Sequence, residues 1–308
     1  MRISTGQFQA VSLQSMLERQ AQLSKTQQQL ATGRRVLTPA DDPAAAARAL
    51  DLTRSIDELE QYQKNADRAL MRMNMEDTVL DQVGDIIIRL NTLAMQAKND
   101  TNGPAERALI GEEVKELLQA TVQLGNTMDG TGEYLFGGYK SQTPPFVFDG
   151  DGDVEYQGDE GERRFKVGPS REVTIANSGQ RAFMDIPDGE GGTRSLFETM
   201  NNMLNALQPD DPAAIDIHED LGQVMADFQR ATEHVLENRA RVGGRINVIE
   251  SEMEGSSMAL VELKAALSAA EDLDYAEAIS RFTLELVGLE ASQMSYMKIQ
   301  GLSLFNYI

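Results

Sequence analysis

The chain has 308 residues, with 28 Lys and Arg against 49 Asp and Glu, a net charge of −21, two His, no Cys and no Trp. That balance repels phosphate backbones and anionic membranes, and it excludes disulfide frameworks, thiolate nucleophiles and Cys-ligated metal. The length suits about two domains at roughly 100–200 residues each, and a composition poor in aromatics with 15 Met favours long helices.

The first element is a helix with an apolar seam at alternating three- and four-residue steps: Leu13, Met16, Gln20, Leu23, Gln27 and Leu30. Asp42 followed by Pro43 then marks a new start, an N-cap and a proline at the first helical position, where its missing N–H is not needed. From Pro43 to Lys98 two stripes follow, Leu52 to Met73 and Leu80 to Ala97, re-phased near Glu76. One helix of roughly 80 Å is expected at 1.5 Å per residue. Asn102-Gly103-Pro104 turns the chain into a third helix with Ile110, Val114, Leu117, Thr121, Leu124 and Met128 on one face.

The period then changes to two. Phe146 and Phe148, Val154 and Tyr156, Phe165 and Val167, and Val173 and Ile175 are short strand signals separated by Gly, Asp and Pro. A flexible return over Asp185–Thr193 leads to a short helix at Leu196–Leu207. Asp211-Pro212 repeats the cap signal, and Ile217 to Leu267 carries another long stripe whose phase slips at Gly243-Gly244. The last helix bears Ile279, Phe282, Leu286, Leu289, Gln293, Tyr296 and Gln300. The expected fold is mainly α: a long antiparallel helical bundle or coiled coil built from the N- and C-terminal parts, with a small β-rich insert. Three parts are expected: 1–42 with 272–308 as terminal assembly helices, 43–133 with 195–271 as the long-helix bundle, and 134–194 as an exposed β insert.

Charge follows the same division. Residues 1–40 carry five basic and one acidic side chain and residues 275–308 two and three, which leaves −24 on the middle. Asp149, Asp151, Asp153 and Glu160 match positions one, three, five and twelve of a calcium loop, but Val154 stands where the turn needs glycine. An acidic hairpin is the better reading, with calcium kept as a weak alternative. His218 and His234 are sixteen residues apart, unlike a zinc pair at i, i+4. No constellation is catalytic, and no cofactor is expected. Met71, Met73 and Met75 read as seam packing or an adaptable surface. Polar seam residues make the terminal helices marginal alone, so helix at both ends is expected to form on assembly. No run is long and apolar enough for a membrane span, and the N-terminus lacks a secretory h-region.

The stretch Gln22 to Pro43, with Gly33, Arg34, Pro39, Asp41, Asp42 and Pro43 at its end, resembles the N-terminal signature of the flagellin superfamily. Its Pro-Ala-Asp-Asp-Pro form is more similar to the hook–filament junction branch than to flagellin itself. Met1-Arg-Ile-Ser-Thr, Glu133-Tyr-Leu-Phe-Gly-Gly-Tyr-Lys140, Asp274-Tyr-Ala-Glu-Ala-Ile-Ser280 and the ending Leu302 to Ile308 agree with it. The resemblance implies a secreted structural subunit of the bacterial flagellum, exported by the flagellar type III route and packed with copies of itself as a ring. It also implies the proximal hook-associated protein and flagellin as neighbours, and an export chaperone on the C-terminal segment. By that reading the terminal helices form an inner tube, and their seam residues are the assembly interface. Two alternatives stay open: a self-polymerising filament subunit and a soluble coiled-coil binding module.

Overall fold

The computed structural model describes residues 5–149, 153–189, 191–208 and 216–301. Among the described residues there are six α-helices, α1 (Thr5–Thr32), α2 (Pro43–Ala97), α3 (Pro104–Gly125), α4 (Leu196–Leu207), α5 (Ile217–Glu271) and α6 (Tyr275–Gly301), with three short hairpins between α3 and α4. Between α3 and α4, β1 (Phe146–Phe148) pairs antiparallel with β2 (Val154–Tyr156), and β3 (Arg164–Lys166) with β4 (Glu172–Thr174). A π-helical turn at Gln180–Met184 precedes β5 (Ile186–Pro187), which pairs with β6 (Thr193–Arg194). That last hairpin corrects the expected flexible return over Asp185–Thr193.

Capping explains where the helices begin. The Asp42 carboxylate accepts the Ala45 N–H at 3.0 Å, and Ser195 accepts the Glu198 N–H at 2.9 Å. Asp216 and Asp274, neither read as caps from the sequence, accept N–H groups of the first turns of α5 and α6. The expected cap at Asp211-Pro212 lies outside the described residues. α5 runs unbroken through Gly243-Gly244, where the sequence suggested only a change of phase.

The chain forms two compact units, Met1–Glu58 with Met258–Ile308 and Leu59–Ser257. In the second unit, α2 buries Met73, Leu80, Val83, Ile87, Leu90 and Ala94, and α5 buries Leu221, Val224, Phe228, Val235, Val242 and Ile249. The β segment shares this core through Phe136, Phe146 and Phe183, which meet Phe197 of α4. Ring centroids are 5.1 Å apart for Phe136 and Phe183 and 5.2 Å for Phe146 with either Phe183 or Phe197. Such pairs add about 0.5–1.5 kcal/mol each beyond the area they bury.

The inward face of α3 includes Ile110, Val114 and Thr121 as expected and extends to Leu118, Val122 and two glycines beside them. Val114, Leu118, Thr121, Val122 and Gly125 are buried, whereas Leu117 and Leu124 are partly exposed and Met128 lies beyond the helix. Small residues set this face: a Cβ on Gly125 would lie 2.7 Å from the Phe146 ring, and one on Gly111 would lie 2.7 Å from the Gln208 amide. Close approach, rather than the count of leucines, decides the orientation.

Candidate assembly surfaces

In the first unit, α1 and α6 pack on each other over a face rich in polar and small groups. Thr26 and Gln29 are buried on α1 and Ala278 on α6; the Arg281 guanidinium donates to Gln29 at 3.4 Å. A Cβ on Gly288 would lie 2.5 Å from the Arg19 guanidinium, so glycine leaves room for that group to cross the pair. Both terminal segments are therefore helical in the single chain, where the sequence suggested helix forming on assembly. Each finds its packing partner within the same chain.

The predicted seam divides between packed and open positions. Met16, Leu23, Leu30, Phe282, Leu289 and Tyr296 are half-buried, while Leu13, Gln20, Gln27, Ile279, Leu286 and Gln293 are exposed. The side chain of Gln300 lies outside the described residues. Around the exposed seam positions, Val11, Leu17, Leu284, Val287, Met294 and Met297 are also open, with Leu284 retaining 74% of its surface. This helix pair buries Thr26, Gln29 and Ala278 and half-buries six seam residues, while many large apolar side chains stay exposed. Contiguous exposed apolar surface of this kind marks an interaction site.

The motif residues build the turn that closes this unit. α1 ends at Gly33, whose φ of +71° is the left-handed conformation open to glycine, and its N–H donates to the Gln29 carbonyl at 2.8 Å. The Gly33 carbonyl accepts the Leu273 N–H at 2.9 Å, and the Arg35 N–H donates to the Glu271 carbonyl at 2.7 Å. Arg34 lies 3.7 Å from the Glu271 carboxylate, and the Arg35 guanidinium reaches the Ala270 carbonyl at 2.9 Å. Asp41 folds the Pro39 turn: its carboxylate accepts the Leu37 and Thr38 N–H groups and pairs with Lys25 at 2.5 Å. The Lys25 hydrogen bond first, then that of Thr38, hold its pKa down to about 2. Asp42 is lowered too, by the Ala45 N–H and then by Arg35. Pro43 opens α2. These residues tie the end of α1 to the α5–α6 turn, a structural role the sequence pattern alone did not reveal.

In the second unit the family-like run Glu133 to Lys140 is held by Arg72 of α2, a residue the sequence pattern did not single out. Its guanidinium is buried and donates to the carbonyls of Tyr134 and Leu135 at 3.0 Å each and of Ile175 at 3.1 Å, and it meets Asp129 at 2.6 Å. Burial raises the Asp129 carboxyl, but hydrogen bonds from Thr131 and Glu133 and the charge of Arg72 outweigh it and leave its pKa below the ordinary value. Glu133 also pairs with Arg163, which reaches the Ser141 hydroxyl at 2.7 Å. Met73 is buried, Met75 packs against the core and Met71 is exposed, so only Met71 is placed as a surface group.

The remaining candidates are held by ordinary contacts. Asp149 and Asp153 close the β1–β2 hairpin, the Asp149 N–H donating to the Asp153 carbonyl at 2.8 Å, and the Asp153 carboxylate accepts from Asn201. Asp151 lies outside the described residues, Glu160 is exposed, and among the described residues no three His, Cys, Asp or Glu side chains group as metal ligands. Asp149 and Asp153 thus act as hairpin-closing residues. His218 meets Asp100 at 2.8 Å and His234 the Arg181 carbonyl at 2.7 Å, each in a separate surface contact. No described helix is long and apolar enough to cross a membrane.

Comparison with known proteins follows this geometry. Residues 3–141 match the family model described as the bacterial flagellin N-terminal helical region. Flagellar hook-associated protein 3 of Escherichia coli K12 is 30% identical, over 99% of both chains. The protein of the same name from Salmonella typhimurium is 28% identical, again over 99% of both. Among solved structures, flagellar hook-associated protein 3 from Legionella pneumophila superposes with a TM-score of 0.65 at 19% identity, over 71% of this chain and 97% of that one. The last likeness concerns the fold.

Proposed function

The chain belongs to the flagellar hook-associated protein 3 family, and we infer that it is a structural subunit of the bacterial flagellum, sited at the junction of hook and filament. Full-length similarity to the Escherichia coli protein carries the reading, and the outward apolar face of α1 and α6 fits it physically. Hook-side protein and flagellin are its neighbours. The work is mechanical, and we assign it no catalysis.

We propose further that copies pack as a ring through Leu13, Gln20, Gln27, Ile279, Leu286 and Gln293, with the half-buried seam residues completing the contact. In this proposal 1–42 with 272–308 form the inner layer, 43–133 with 195–271 the outer layer, and 134–194 the outward acidic segment. Exposed Asp149, Asp153, Glu155 and Glu160 support the last assignment, since like charges keep neighbouring segments apart. The polar positions among the apolar ones support a fixed register between copies, because a buried amide paired out of register is left unsatisfied. Export by the flagellar type III route, with a chaperone covering α6 beforehand, completes the proposal; an exposed apolar helix needs such cover in a crowded cell.

Light scattering and electron microscopy of the purified chain, alone and on preformed hook ends, test the assignment. The expected result is a chain that stays small alone and caps hook ends in a defined ring, with Leu286→Glu abolishing capping. Long filaments growing from this chain alone would instead establish the self-polymerising reading, which the match to the flagellin helical region favours.

A further inference from the structure

Glu76 lies in the middle of α2, at the position where the apolar stripe changes phase, and is 1% exposed. One carboxylate oxygen accepts the side-chain N–H of Asn177, which sits just past β4. The carbonyl oxygen of the same amide accepts from Arg245 of α5 at 2.7 Å. An arginine can only donate, so the Asn177 oxygen must face α5, its nitrogen must face α2, and Glu76 must accept. Three elements are thereby closed around one amide.

The charges around this point are unevenly matched. On α2, Arg72 is one turn away but already holds Asp129 and three carbonyls, and Asp77, next in sequence, repels the Glu76 charge while pairing with Arg239 of α5 at 3.0 Å. From α5, Arg245 is hydrogen-bonded to the Asn177 oxygen and its charge favours ionised Glu76 from beyond that amide. The segment Ile175–Ser178 contributes no ionisable group. Among the described residues no cation forms an ion pair with Glu76, yet the carboxyl is fully enclosed.

We propose that Glu76 is a protonation-controlled latch that fastens the segment Ile175–Ser178 to α2 and α5. When the carboxyl is neutral, its carbonyl oxygen still accepts from Asn177 and no charge is buried. When it is ionised, the hydrogen bond persists but the enclosed charge gains by reaching water, and the segment opens more readily. Burial raises the pKa to about 7, against the lowering effects of Asn177, Arg245 and Arg72. In the opened form the group returns to the ordinary range near 4.3. The sign follows: the closed form binds more protons between these values, so opening grows as pH rises through that window and levels off above about 7. Arg72 keeps the Tyr134 and Leu135 turn and the Ile175 carbonyl fixed throughout, which confines the change to Ala176–Ser178.

Amide hydrogen exchange of the intact chain over residues 172–180, measured from pH 5 to pH 8 and divided by the intrinsic exchange rate, tests the latch. Wild type is expected to lose protection by a factor on the order of tens across that range. Glu76→Gln, which keeps volume and an accepting oxygen, is expected to show no such slope and to match or exceed wild-type protection at pH 8. An unchanged slope in the variant, or a flat wild type, overturns the proposal. Carbon-13 NMR of the Glu76 carboxyl in the wild-type chain decides the matter even if the variant fails to fold: titration near pH 7 supports the latch, and a midpoint below pH 5 refutes it.

Discussion

Replacing Arg72 by Met removes the guanidinium that binds Asp129 and the carbonyls of Tyr134, Leu135 and Ile175 while keeping an unbranched stem of similar length. The loss has two parts. Asp129 is left without its cation, although Thr131 and Glu133 still donate to it, and three backbone oxygens lose a donor in a place closed to water. Breaking a buried pair costs about 3–5 kcal/mol, and each orphaned buried acceptor about 1–3 kcal/mol where no relaxation occurs. Partial relaxation and the surviving partners of Asp129 bring the expected total to about 3–5 kcal/mol. For a folding unit of 150–250 residues that is a fall in the thermal midpoint of roughly 6–20 °C. Thermal and urea unfolding, followed by circular dichroism with Arg72→Lys alongside, is the assay. Lysine restores a charge for Asp129 but only three donors from a single point, so it should recover part of the loss. A midpoint for Arg72→Met within 2 °C of wild type would refute the claim that this guanidinium holds the Glu133 to Lys140 run.

Gly33→Ala forces a side chain into the left-handed region and places its Cβ 2.8 Å from the Tyr275 hydroxyl; a destabilisation of about 1–2 kcal/mol is expected, read as faster exchange of the Leu273 amide, and an unchanged rate would count against the strain argument. Asp41 binds fewer protons folded than unfolded, so its contribution is present above about pH 4 and disappears as pH falls toward 2. Asp41→Asn should therefore melt below wild type at pH 7 and converge with it near pH 2; a constant gap between the two would disprove the Lys25 pairing as the cause. Ile279→Ser leaves an exposed position polar, so the single chain should melt as wild type does while ring formation weakens; loss of monomer stability would show that Ile279 packs inside the chain instead.

Much of the helical framework is legible because local chemistry specifies it. Asp42-Pro43 starts α2, and the spacing of Leu80, Val83, Ile87 and Leu90 gives α2 its buried face. Alternating Phe146 and Phe148 locate a strand for the same reason. What escaped was set by distant partners. Arg72 and Glu76 were not singled out as buried anchors, since their partners Asp129, Ile175 and Asn177 lie far along the chain. Thr26 and Gln29 gave no sign that they, rather than Leu13 and Gln20, face α6, because a polar interior violates the pattern that sequence reading relies on. On α3 the expected Ile110, Val114 and Thr121 are buried, while the close approaches at Gly111 and Gly125 depend on partners far along the chain.

The contacts that close the first unit join opposite ends of the sequence: Arg35 to Ala270 across 235 positions and Gln29 to Arg281 across 252. The second unit needs nothing from either terminus to bury its aromatic cluster. A chain delivered from its N-terminus can thus complete its interior while α1 still has no partner, and it completes the α1 and α6 pair only when the final stretch arrives. Ring closure of that span is entropically slow compared with local helix pairing. Connectivity alone therefore orders the fold, so that the α1 and α6 pair, with the exposed apolar side chains it carries, is the last part that can form.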